Sequence, residues 1–179
     1  GLFFFFSYRR GRHSLGRTLQ RKRGCARFLW HPGSGFARSR IFVKKHLMIE
    51  SVIRNRRAVF PAQYNDTPIE KGTLERILEA ANWAPTHKRT EPWRFKVMQG
   101  ERLKALGAFL KQKYLETEAK PRSFKAEKLL NNPQKAAAVI GICMQRDPQQ
   151  RLPEWEEVAA TAMAVQNMWL VASQLGIGS

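Results

Sequence analysis

Two short stretches place groups that could do chemistry side by side. Arg56-Arg57 offers two planar guanidinium forks with permanent charge, which suits a phosphate. The same pair at a helix end is also what the helix dipole favours, so a plain solvated terminus explains it equally well. The second stretch is Thr86-His87-Lys88-Arg89, a run of donors held between Pro85 and Pro92. It could bind an acceptor-rich ligand, although a single loop histidine is ordinarily a surface residue. Trp83 and Trp93 flank this loop, either as core aromatics or as walls of a flat pocket. By residue type alone, the two stretches describe an anion- or nucleotide-binding site on an α/β enzyme.

The elements that must carry these groups follow from periodicity. Ile49, Val52 and Ile53 fall at helical spacing, so residues 48–57 read as a first helix that Pro61 stops. Thr67-Pro68-Ile69-Glu70 fits a capping box with proline at the first helical position. Leu74, Ile77, Leu78 and Ala81 then form the apolar stripe of a second helix, ending near Ala84 before Pro85. Trp93 to Val97 alternates apolar and basic residues, the pattern of a strand with one buried face. Leu103, Leu106, Phe109 and Leu110 mark a helix over 101–118, and a short helix is expected near Ser123 to Leu130. Ala136 to Met144 is a continuous apolar run suited to a strand buried on both faces. Trp155 to Leu175 reads as a long buried helix with Gly176 as its C-cap. Polar residues Thr161, Gln166, Asn167, Ser173 and Gln174 argue against a membrane span there.

Composition sets the outer limits. The chain has 179 residues, 43% of them hydrophobic, enough for one domain with a sizeable core. Its net charge of +18 first suggests nucleic acid or an anionic membrane. However, residues 1–47 carry 12 of the 32 Lys/Arg and none of the 14 Asp/Glu, so two thirds of the excess lies in that quarter. That segment shows no sustained period of 2 or 3.6 and is expected to be a disordered basic extension outside the domain. It has the Arg-rich, acid-free composition of an organelle transit peptide, while a start at Gly1 suggests sequence upstream of a start at Met48. A nucleic-acid-binding arm is a further reading. Cys25 and Cys143 match no metal or redox spacing, and no GxGxxG, phosphate loop, zinc pattern or nucleophile elbow occurs.

At this point several ordered motifs carry a resemblance. Arg56-Arg57-Ala58-Val59, the run Ile77-Leu78-Glu79-Ala80-Ala81-Asn82-Trp83-Ala84-Pro85-Thr86-His87, and Glu91-Pro92-Trp93-Arg94-Phe95 resemble the FMN-dependent nitroreductase family. Pro85-Thr86-His87-Lys88 and the later Pro153-Glu154-Trp155-Glu156-Glu157 are similar to its small, single-domain bacterial NAD(P)H branch. The resemblance covers residues 48–179. It implies an α+β fold, a three-layer sandwich whose central, antiparallel-rich sheet is flanked by helices and is incomplete at the C-terminus. It also implies a homodimer with FMN at each of two interface sites, and a ping-pong reaction carrying hydride from NADH or NADPH to a nitroaromatic, quinone or similar small-molecule acceptor.

Position by position, Arg56, Arg57 and Ala58 match the phosphate-holding segment, with Ala58 where serine is common. Trp83 and His87 match FMN contacts, and Glu91 stands where glutamine is common. Val171, Ala172, Ser173, Gln174, Leu175 and Gly176 match a stretch associated with NAD(P). The resemblance implies flavin-borne chemistry with no protein nucleophile and no metal, no nucleic-acid or membrane partner, and a cytoplasmic location unless residues 1–47 are a transit peptide. Ser179 falls where the family continues into further FMN-contacting sequence, which implies that the chain as it stands binds FMN weakly or not at all, with a non-functional gene fragment as the alternative reading.

Overall fold

The computed structural model describes residues 2–8 and 49–179. In chain order the elements are β1 (Leu2–Tyr8), α1 (residues 49–55), α2 (Lys71–Ala81), β2 (Trp93–Met98), α3 (Glu101–Thr117), α4 (Ser123–Asn131), β3 (Ala138–Met144), α5 (Glu154–Gln174) and β4 (Ile177–Gly178). The four strands form one sheet in the order β2-β3-β1-β4, with every neighbouring pair antiparallel.

Alternation along the strands divides the core into two layers. Trp93, Phe95 and Val97 of β2, Ala138 and Ile140 of β3, Phe6 of β1 and Ile177 of β4 meet Leu74, Ile77 and Ala81 of α2 and Ala160, Ala164, Met168 and Ala172 of α5. On the opposite face, Val139, Phe5 and Met98 meet Leu103, Leu106 and Leu110 of α3 together with Tyr64. The result is the expected helix–sheet–helix sandwich. Within the second helical layer, Gly107 of α3 lies so close to α4 that an added Cβ would collide with the Leu130 carbonyl. The two helices approach each other at that residue because it has no side chain.

The expectation for residues 1–47 is corrected at their start. Leu2–Tyr8 is not disordered; it pairs with β3 from Leu2↔Ile142 to Phe6↔Ala138, and with β4 at Ser7↔Gly178 and Tyr8↔Ile177. Phe5 packs into one layer and Phe6, 1% exposed, into the other. A strand covered on both faces shows no alternation, so a run of phenylalanines conceals its period of 2. The transit-peptide and nucleic-acid-arm readings for residues 9–47 lie outside the described residues.

Two boundaries also move. The Thr67-Glu70 capping box does not form, because Glu70 is itself the extended residue before α2 and the Thr67 N–H donates to Asn65 Oδ1 at 3.1 Å. The extended stretch instead delivers Ile69, 3% exposed, to the core before the helix starts. At its other end α2 stops at Ala81, and Ala84 closes the turn by donating to the Ala81 carbonyl at 3.0 Å. Gly176 ends α5 as expected, with φ +75° and its N–H donating to Ser173 O at 3.2 Å. Among the described residues no helix is long and apolar enough to cross a membrane.

Candidate functional site

Arg56 and Arg57 lie just past α1, where the last carbonyls of a helix lack partners. Arg57 meets part of that need itself: its Nη1 donates to Arg54 O at 2.5 Å and to Arg56 O at 2.8 Å. Arg56 is half-buried and lays its guanidinium on the Trp169 ring of α5, 3.8 Å from the ring centroid. The terminus reading therefore holds for Arg57, which is exposed and uses only Nη1 in these two bonds. Ala58 is exposed beside it, and Val59 ties the segment to the sheet end by donating to Ser179 O at 3.0 Å.

The chain then enters the wall of a cavity. Phe60, Pro61 and Ala62 face Phe124, Lys128 and Asn132 across about 560 Å³, with Lys135 also on the rim. Phe60 and Phe124 are 68% and 77% exposed, so two aromatic faces are open to a ligand. Glu127, the one carboxylate in the lining, is occupied by Lys111 at 2.5 Å. Sequence reasoning recognised α4 only as a short helix and missed these cations. The available signal was Arg122, Lys125 and Lys128 at three-residue spacing, which places them on one face around Phe124.

The Thr86–Glu91 loop is built by its own polar groups. Lys88, Arg89 and Glu91 have φ of 51°, 53° and 39°, a region that non-glycine residues adopt only when their surroundings hold them there. The holding contacts are Thr86 Oγ1 with Thr90 Oγ1 at 3.2 Å, the Glu91 N–H donating to Thr86 Oγ1 at 3.2 Å, and Arg94 Nη1 donating to Glu91 O at 2.8 Å. Lys88 Nζ donates to Arg151 O at 3.1 Å, and His87 Nδ1 lies 2.8 Å from Glu156 Oε2. The donors of the loop are thus partly spent on α5 and its approach. Trp93 is core, with its Nε1 donating to Asn82 Oδ1 at 3.3 Å, whereas Trp83 is 78% exposed and free to wall a pocket.

The two stretches that opened the sequence analysis do not meet within one chain. His87 contacts α5 at Glu156 and Arg56 contacts it at Trp169. Those positions are separated by roughly 20 Å along the helix axis at 1.5 Å per residue. Between them α5 presents exposed Val158 and Met163, with exposed Trp155 just before Glu156.

The Val171–Gly176 stretch is divided by burial. Ala172 is fully buried, and Val171 and Leu175 pack against the same core with part of their surface exposed. Gln174 and Gly176 are exposed and Ser173 is half-buried.

Glu157, near the start of α5, is 1% exposed and accepts from Arg146 Nε at 2.5 Å and from the Asp147 N–H at 2.8 Å. The Arg151 guanidinium beside Asp147 holds that carboxyl below its ordinary value. This clasp fixes the helix end that receives the His87 loop. No group of three or more His, Cys, Asp or Glu among the described residues could hold a metal ion.

With this sandwich and this cationic terminus in place, comparison with known proteins gives the class. The model of the nitroreductase family matches residues 53–179, and the chain belongs to that family. A Bacillus subtilis protein named, by inference, as the NAD(P)H nitroreductase YfhC is 30% identical over 142 residues, covering 76% of this chain and 69% of the relative. The crystal structure of a nitroreductase-like protein from Bacillus cereus is 35% identical with a TM-score of 0.61, covering 73% of this chain and 66% of that one. A Desulfovibrio desulfuricans structure, described as an inferred nitroreductase in complex with FMN, is 26% identical with a TM-score of 0.54 and shares 71% of this chain and 63% of its own. The chain thus spans about two thirds of the length of these relatives.

Proposed function

We propose that the protein is an FMN-dependent oxidoreductase that takes hydride from NADH or NADPH and passes electrons to a nitroaromatic, quinone or similar acceptor. The observation that carries this reading is the Arg56-Arg57 pair just past α1, followed along the chain by Phe60 in the wall of the cavity that Phe124 and Lys128 also line, on the fold of a family with an FMN-bound member. The donor set fits the cofactor: guanidinium forks for a phosphate, and exposed aromatic faces among cations for a flat, electron-rich ring.

In this reading Arg57 binds the phosphate with the nitrogens it does not use on Arg54 and Arg56, and Trp169 holds Arg56 in place. Ala58, lacking the hydroxyl common there, removes one neutral hydrogen bond and no charge. FMN, when bound, supplies the redox chemistry. Lys128 and Lys135 would stabilise negative charge over the cavity. One open space serving donor and acceptor in turn is what a ping-pong sequence needs. Gln174 and Gly176 are the exposed members of the 171–176 stretch and would meet the nicotinamide donor.

The separation of the His87 and Arg56 contacts along α5 supports a homodimer, in which the loop of one copy closes the Arg56-Arg57 site of the other. Exposed Trp155, Val158 and Met163 would form the shared surface. The test is a titration of the chain with FMN followed by flavin fluorescence. Saturable quenching is expected, weakened about tenfold or more in Arg57→Ala, the loss of one charge-assisted contact. Quenching unaffected by Arg57→Ala would overturn the assignment.

A further inference from the structure

A second cavity on α4 shares Phe124, Lys128 and Asn132 with the one behind Phe60 but differs in character. It has a volume of about 520 Å³, inside the ~300–1,000 Å³ of small-molecule sites. Phe5 of β1, Leu110 of α3, and Leu129 and Pro133 form its floor, and all four are buried or half-buried. Arg122, Lys125 and Lys128 stand exposed at its edge, and no carboxylate lines it. Among the described residues these cations have no carboxylate ion-pair partner. Lys125 Nζ lies 4.7 Å from the Tyr114 centroid and Lys128 Nζ 5.8 Å from that of Phe124.

We infer that this cavity binds a single-chain anionic amphiphile, a carboxylate with a saturated apolar tail. The floor offers almost nothing to hydrogen-bond, with Asn132 as its one neutral polar side chain, so a polar or sugar-bearing body would be stripped of water without replacement. The rim carries three positive charges that no carboxylate among the described residues neutralises, so an anionic head gains charge-assisted contacts and a cationic head is repelled. Residues 9–47 carry 12 Lys/Arg and no Asp/Glu, the same sign as the rim.

Calorimetric titration of the whole chain with monomeric dodecanoate tests the assignment, with dodecanol and dodecyltrimethylammonium run in parallel. One dodecanoate per chain is expected, with the other two at least about tenfold weaker, a difference of roughly 1.4 kcal/mol. The double variant Arg122→Glu, Lys125→Glu changes two exposed side chains and should weaken dodecanoate by at least the same factor without altering the circular dichroism spectrum. Added salt should weaken dodecanoate and leave dodecanol unaffected in the unaltered protein, a readout independent of whether the variant folds. Equal binding of all three amphiphiles, or salt-independent binding of dodecanoate, would refute a charged-rim site. Displacement of dodecanoate by FMN would also refute it, by merging the cavity with the neighbouring flavin site.

Discussion

Tyr64 shows how one residue joins the N-terminal strand to the domain. It is 3% exposed and its hydroxyl donates to Phe5 O at 3.1 Å. Burial pushes its pKa up to about 12 from 10.0, so the protonated phenol is the form the fold favours. The stability this confers is complete below pH 10 and is lost as pH rises from 10 through 12. The shift corresponds to roughly 2–3 kcal/mol. Denaturant unfolding across that range should show the decline in the natural protein, and Tyr64→Phe should flatten it while costing about 1 kcal/mol at neutral pH. Arg146 poses a different problem, because it neutralises a carboxylate with no access to water. Arg146→Ala should lower unfolding free energy by about 2–4 kcal/mol, somewhat less than for a fully buried pair because Arg146 is partly exposed. An unchanged denaturation midpoint would remove Glu157 from the set of groups that hold the start of α5.

At the scale of elements, β1 matters most, since it lies inside the sheet between β3 and β4 rather than at an edge. Phe6→Ala should cost about 3–5 kcal/mol, the cost of a core phenylalanine truncation, measured by thermal or urea unfolding. A loss below 1 kcal/mol would mean that the strand is dispensable to the sheet. The same element explains which boundaries were legible. α3, α4 and β2 stand close to their sequence-based limits because each has one apolar face, and period reports faces. The start of α2 was not legible, because Thr67 and Glu70 have capping chemistry but Ile69 must reach the core first, and packing overrides a cap.

At the scale of the whole molecule, the long helix α5 organises everything proposed. It packs α2 through the buried stripe Ala160, Ala164, Met168 and Ala172, holds Arg56 through Trp169, and receives the His87 loop at Glu156. Its remaining face carries Trp155, Val158 and Met163 into solvent. If that face is the dimer surface, Val158→Glu should shift sedimentation toward monomer and weaken flavin binding together, while leaving the monomer's helical content intact. Loss of the dimer with full flavin affinity would place the whole flavin site within one chain.

The sequence by itself determined the family and, from Ile49 onward, the helices and strands other than β4, with the start of α2 displaced. It also marked Arg56-Arg57 and the Thr86–Glu91 loop as the groups worth attention, because side-chain type, spacing and apolar period are local properties. Only the tertiary structure decided that Leu2–Tyr8 completes the sheet, since a strand buried on both faces carries no periodic signal. It likewise decided that Ala172 is core, that α4 contributes Lys128 to the cavity behind Phe60, and that His87 and Arg56 contact separate positions along one helix. Those facts depend on which elements pack together, and contact between residues far apart in the chain is not written in the spacing of either partner.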